Sequence, residues 1–144
     1  MKNEKRLLDK KVIVTGGSRG IGAGIVKRLF QEGAEIIIAD VREELANTLI
    51  NEIDNGSKKI IFKKIDLSEE GQIINLFDFA KERWGGLDIL INNAGIEDGF
   101  KLKDQSYEKY RETMKINLDA PFLCSKYALP LFENFKGGRI VMIS

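Results

Sequence analysis

Lys11-Val12-Ile13-Val14-Thr15-Gly16-Gly17-Ser18-Arg19-Gly20-Ile21-Gly22 is the stretch that decides the fold class. Behind Lys11, Val12 to Thr15 are all β-branched, the pattern of a short strand buried on both faces. Glycines then interrupt any hydrophobic period, and helical spacing begins. From Gly20 to Gln31, Ile21, Ile25 and Leu29 share one face, which Val26 and Phe30 widen to the breadth of a helix packed on a sheet.

Outward from this unit the same alternation repeats. Gly33 ends the helix, and Glu35 to Ala39 reads as a second strand. Arg42 to Asp54 is a second helix closed by Asn55-Gly56, and Lys59 to Ile65 is a third strand. Ser68 is placed to cap the next helix, with Glu69 and Glu70 in the first turn, where the dipole favours acid. Ile73, Leu76, Phe77, Ala80 and Trp84 keep helical spacing along it. After Gly85-Gly86, Leu87 to Ile91 is a fourth strand, and a loop runs from Asn92 to Lys103. Helical sequence fills about 104 to 135, with a bend or break expected from Pro121 and Pro130. Arg139 to Ile143 is a fifth strand. Near-continuous apolar strands alternating with helices predict a parallel sheet covered on both faces, a single doubly wound α/β domain over residues 1–144.

Composition narrows the chemistry. Lys plus Arg total 23 and Asp plus Glu 22, a net charge of +1 that gives no reason to expect nucleic acid or an anionic membrane as partner. No apolar run approaches the ~20 residues of a membrane span. The charged N-terminus lacks a signal-peptide core, so a cytoplasmic location is expected. Cys124 is the only cysteine, and histidine is absent. Ser-His-Asp and Cys-His nucleophilic systems are therefore excluded, and no metal site is expected. Catalysis in such a chain rests on Ser, Thr, Tyr, Lys, Asn, carboxylates or a cofactor.

The glycine turn is suited to a diphosphate. A glycine-rich strand-to-helix turn admits close backbone approach, and the first free N–H groups of the helix point at the negative charge. Asp40 closes the second strand eighteen residues after Gly22, near the ~20-residue offset at which an acidic side chain meets adenosine ribose hydroxyls. A carboxylate there favours NAD and repels the 2′-phosphate of NADP. Asp40 is equally an ordinary helix N-cap, and the two roles are compatible. Arg19, inside the turn, argues for NADP. The carboxylate weighs more, because its charge would oppose a 2′-phosphate directly.

Thr-Gly-x-x-x-Gly-Ile-Gly at residues 15–22 resembles the turn of the classical short-chain dehydrogenase/reductase family. Asp66-Leu67 resembles that family's adenine-contacting Asp, and Asn92-Asn93-Ala94-Gly95 its Asn-Asn-Ala-Gly signature. Asn117 resembles the helix Asn that anchors the family's proton relay. Gly-Gly-Arg-Ile-Val-Met-Ile-Ser at 137–144 resembles the strand leading to its catalytic Ser. The resemblance implies a Rossmann-type three-layer sheet of strand order 3-2-1-4-5. It also implies a nicotinamide dinucleotide at the C-terminal strand edge and hydride transfer with an alcohol or ketone. The residues it marks for the cofactor are Gly16, Ser18, Arg19, Gly20, Ile21, Gly22, Asp40, Asp66, Leu67, Asn93, Ala94 and Gly95; Asn117 is the one catalytic-relay residue. A 3-oxoacyl carrier-protein reductase, or a related sugar or steroid dehydrogenase, fits the general resemblance.

Each of these residues also has a plain structural role. Asn92 and Asn93 satisfy backbone groups at a strand end, Asp66 starts a turn, and Asn117 bonds a helix carbonyl near Pro121. Cys124 reads as buried packing, and Tyr107, Tyr110 and Tyr127 as surface or interface residues. The family's catalysis uses a Ser, a Tyr and a Lys four residues after that Tyr. No Tyr-x-x-x-Lys occurs here, and Ser144 aligns with the residue before the catalytic Ser. The chain is therefore expected to be the cofactor-binding front of such an enzyme and inactive alone. A stand-alone dinucleotide-binding module, or one half of a split enzyme, is the alternative. An open fifth-strand edge is expected to promote self-association.

Overall fold

The computed structural model describes residues 5–97, 99 and 101–144. The strands are β1 (Lys11–Thr15), β2 (Glu35–Asp40), β3 (Ile60–Lys64), β4 (Ile89–Asn92) and β5 (Arg139–Met142). They alternate with α1 (Gly20–Gln31), α2 (Glu43–Ile53), α3 (Glu70–Trp84), α4 (Tyr107–Met114) and α5 (Ala120–Asn134). Every pairing is parallel, and the order is β3-β2-β1-β4-β5. This is the doubly wound sheet expected from the sequence.

The layers follow from strand alternation, because successive side chains point to opposite faces. Ile13, Ile37 and Leu90 enter one core with Ile73, Leu76 and Phe77 of α3 and Cys124, Ala128 and Leu131 of α5. Val12, Val14, Ile36, Ile38, Ile89 and Ile91 enter the other, against Val26 of α1 and Leu49 of α2. Burial on both faces is why these strands lack polar alternation. Among the described residues no helix is long and apolar enough to cross a membrane.

Some local features differ from expectation; β4, for example, runs from Ile89 to Asn92 rather than from Leu87 to Ile91. β2 extends one residue past Ala39, because Asp40 stays in register with Lys64 of β3. Ser68 does not cap α3, whose N-cap is Glu69. Its N–H and hydroxyl instead donate to Asp66 Oδ1 at 2.9 and 2.7 Å, a short-range side-chain bond that competes with capping. The helical stretch is interrupted by a π-helical turn, Lys115–Asp119. Pro121 lies in the first turn of α5 and Pro130 inside it. Pro121 has no N–H to return to the preceding turn, so the ladder is disturbed ahead of it rather than at Pro130.

Candidate functional site

Parallel strands deliver their C-terminal ends to one side of the sheet, and ligands of such folds bind there. A cleft of about 800 Å³ opens at that edge in this chain. Gly16, Arg19, Gly20, Ile21 and Gly22 line it from the first turn. Asp40 lines it from the end of β2, Asp66 and Leu67 from beyond β3, and Asn93, Ala94 and Gly95 from beyond β4. Two marked residues stand outside this lining. Ser18 lies beneath it, 5% exposed, and Asn117 lies behind Ile96.

The glycine turn is packed too tightly for side chains at two places. A β-carbon on Gly22 would lie 2.1 Å from the Gly16 carbonyl oxygen and 2.5 Å from Asn93 Nδ2. One on Gly16 would lie 2.8 Å from the Ala94 backbone. The turn is thereby drawn against the β4 end. α1 then starts with no side-chain cap and no acidic residue in its first turn. Ala23 N–H donates back to Arg19 O, so the donors ahead of it, at Gly20, Ile21 and Gly22, have no intrahelical carbonyl to reach. An uncapped, glycine-lined helix start is a place for an anion. The Ser18 hydroxyl is buried with no protein partner. Buried hydroxyls are ordinarily hydrogen-bonded, so this one leaves a polar position for a ligand group beside the turn.

Asp40 is 4% exposed and held by four donors. Its Oδ1 accepts from Val41 N at 2.8 Å, Arg42 N at 3.2 Å and Arg42 Nη1 at 3.1 Å. Its Oδ2 accepts from Ser18 N at 3.2 Å. The carboxylate thus ties the end of β2 to the glycine turn. Oδ2, with one donor, retains capacity for a hydroxyl. Asp40 is not the helix N-cap, which is Arg42. Asp66 is likewise turned on its own loop by Ser68, while its N–H donates to Gln72 Oε1 at 2.7 Å.

Thr15 closes the floor, and its role was not legible in the sequence. Its hydroxyl accepts from Asn93 N at 3.0 Å and Ala94 N at 3.1 Å. Asn93 Nδ2 reciprocates to the carbonyls of Thr15 and Gly16, both at 3.0 Å. Asn92 points elsewhere, its Nδ2 donating to Ser125 Oγ at 3.3 Å. Asn117, placed by the π-helical turn, does not bond a helix carbonyl. Its Oδ1 accepts from Ile96 N at 2.8 Å and its Nδ2 donates to Ile96 O at 2.9 Å. It fixes the backbone just past Gly95.

Further cleft residues, Val41, Arg42, Ile65, Ile96 and Ile116, carried no motif beyond their position at strand and helix ends. Within the loop from Asn92 to Lys103, Asp98 and Phe100 lie outside the described residues. Cys124 is fully buried, and that burial pushes its thiol up to about 12. It is packing. Tyr107 and Tyr110 are exposed, and Tyr127 donates its hydroxyl to Glu70 at 2.6 Å, away from the cleft. Among the described residues no group of three or more His, Cys, Asp or Glu is placed to hold a metal ion.

With this geometry in view, residues 10–144 match the short chain dehydrogenase family. The chain belongs to that family. This short-chain dehydrogenase chain is 34% identical over 143 residues to short chain aldehyde dehydrogenase 1 of Euphorbia lathyris, covering 97% of itself and 49% of that protein. It is also 34% identical to the 2,5-dichloro-2,5-cyclohexadiene-1,4-diol dehydrogenase LinX of Sphingobium indicum, covering 96% of itself and 56% of the relative. Among solved structures, it matches a metagenomic short-chain oxidoreductase in complex with NADP at TM-score 0.89 and 29% identity, covering 96% of itself and 62% of that chain. A short chain dehydrogenase from Burkholderia cenocepacia J2315 in complex with NADP matches at TM-score 0.86 and 35% identity, with 95% and 56% covered. The chain spans about half the length of the curated relatives it matches.

Proposed function

We propose that this chain binds a nicotinamide dinucleotide, NAD in preference to NADP, as the cofactor-binding part of an oxidoreductase acting on an alcohol or ketone. The observation that carries the reading is the uncapped start of α1 facing the same cleft as Asp40. The helix start would hold the diphosphate, and Asp40 Oδ2 the adenosine ribose. Asp66 and Leu67 border the adenine end, and Asn93 to Gly95 the nicotinamide end. The dinucleotide, when bound, supplies or accepts the hydride. The groups contributed by this chain bind and orient it. Within the substrate class, a 3-oxoacyl carrier-protein thioester, a sugar or a steroid would each present a suitable carbon–oxygen bond.

By itself the chain is proposed to bind without appreciable turnover. A positioned general acid–base is typically worth ~10²–10⁴-fold in rate, and the sequence has no Tyr-x-x-x-Lys to supply it. A specific observation supports NADP as the second reading. Arg42 lies against Asp40 with its side chain one-third exposed, a cation that a 2′-phosphate could engage. Fluorescence titration with NADH and NADPH tests both. NADH is expected to bind more tightly, and Asp40→Ala to raise NADPH affinity about tenfold, a change of ~1.4 kcal/mol. Tighter NADPH binding to the unaltered chain reverses the preference; no binding of either cofactor ends the reading. Steady NADH-dependent ketone reduction at ordinary enzyme rates would contradict the absence of turnover.

Self-association through β5 is also proposed. Ile140, Val141, Met142 and Ile143 are all exposed, and among the described residues no strand pairs with the outer edge of β5. Unpaired backbone beside apolar side chains is a template for a second copy.

A further inference from the structure

We propose that Asn55 is a site of spontaneous covalent modification, cyclising with Gly56 and opening to aspartate and isoaspartate. Asn55-Gly56 is the only Asn-Gly pair in the sequence. It forms the centre of the turn between α2 and β3, with both residues exposed. The turn is closed by Ser57 N donating to Asp54 O at 2.9 Å, and both central residues have positive φ, 44° and 80°. These are the conformations that Asn and Gly adopt most readily.

The chemistry needs a free amide nitrogen, an unhindered side-chain carbonyl carbon and room for a five-membered ring. Gly56 N–H donates to no protein acceptor among the described residues. A β-carbon at Gly56 would meet nothing within 4 Å, so no packing holds the two groups apart. Lys58 and Arg83 border the same shallow groove, and their charge favours the amide anion that attacks. The Gly56 nitrogen bonds to Asn55 Cγ, the Cγ–Nδ2 bond breaks, and ammonia leaves with the amide proton. Water then opens the ring. Cleavage on the side-chain carbonyl gives aspartate, and cleavage on the main-chain carbonyl gives isoaspartate. No oxidant or reductant is involved.

The other asparagines among the described residues are held differently. Asn47, Asn51 and Asn75 are helical, and Asn92, Asn93, Asn117 and Asn134 have bonded side chains. The product carboxylate takes the net charge from +1 to zero. Isoaspartate also adds a methylene to the backbone inside the turn, which breaks the Asp54–Ser57 closure. The turn lies at the start of β3, the opposite end of the sheet from Asp66, so the cleft is spared.

The test is to incubate the folded chain in warm, mildly alkaline buffer and follow each asparagine by peptide mapping and isoaspartyl methyltransferase labelling. Asn55 is expected to convert at least ~10-fold faster than any other asparagine, a barrier difference of about 1.4 kcal/mol. Asn55→Gln is expected to remove the first acidic species while the NADH titration stays unchanged. Asn55 persisting as the amide, or converting no faster than Asn134, overturns the proposal. So does an undiminished acidic species in Asn55→Gln. The map of the unaltered chain decides the matter even if that variant folds poorly.

Discussion

Within residues 1–144, the outermost strands β3 and β5 differ in character. β3 carries Lys63 and Lys64, and the Lys63 ammonium lies 4.1 Å from the centre of the Phe79 ring, so its aliphatic stem covers apolar surface while its charge stays outside. Lysine on an edge strand discourages pairing with another chain. β5 has no such device after Arg139, and all of its residues are exposed. Around β3, α2 and α3 complete both layers. α5 packs against α3 and β4 through Ala128, Leu131 and Phe132, and its residues Phe122 and Leu129 stay exposed at 64% and 54%. The cleft belongs to the β1–β3 half and to the seam at β4. Binding and association are therefore expected to be separable properties.

The largest expected effect asks how far the open character of β5 reaches inward. Cys124 sits in α5 under that half, with its thiol at about 12 against an ordinary value of 9.0. Near pH ~8 the folded thiolate population is about a thousandfold below that of the unfolded chain. Alkylation of the folded protein should be slower by at least that factor; a rate within about tenfold of the denatured protein would mean that the inner layer opens with the edge. The sign for stability follows. Above pH ~9 the unfolded thiol ionises and the folded one does not, so stability falls as pH rises towards about 12.

Next in size is an exchange of the two edges. Ile140→Lys with Met142→Lys gives β5 the chemistry of β3. Two apolar side chains kept from burial, at ~1.5–3 kcal/mol each, should weaken self-association by about 100-fold or more in sedimentation equilibrium. Lys63→Val with Lys64→Val should create association at β3. Either pair leaving the oligomeric state unchanged would remove the distinction between the edges.

The smaller effect lies at the seam. Thr15→Val keeps the shape of the side chain and removes the acceptor shared by Asn93 and Ala94 N–H groups. Leaving buried donors unsatisfied costs ~1–3 kcal/mol, measurable by urea denaturation, and NADH affinity should fall with it. Unchanged stability would show that the two halves are joined by packing alone.

The strand–helix alternation, the glycine turn and the acidic end of β2 were legible in the sequence because each is a signal within a few residues. Ser68 was misread as a cap because its bond to Asp66 is local but leaves no periodic trace. The bend expected at Pro121 and Pro130 falls instead at Lys115–Asp119 for a related reason: proline marks where a donor is lost, and the ladder yields upstream of it. Thr15 and Asn117 were legible only as types. Their partners lie 78 and 21 residues away, beyond any spacing rule.

By itself the sequence determined the parallel doubly wound sheet, since apolar strands with no polar face have no other stable surroundings. It also determined that Gly16, Gly17, Gly20 and Gly22 fall in the turn leading into α1 and at its start. Only the tertiary structure decided that Asp40 is held by Ser18 and Arg42, that Asn93 locks back onto Thr15, and that β5 pairs beside β4. Each of those depends on which strand ends meet. Strand order comes from packing the whole chain, while a motif reports only its own turn.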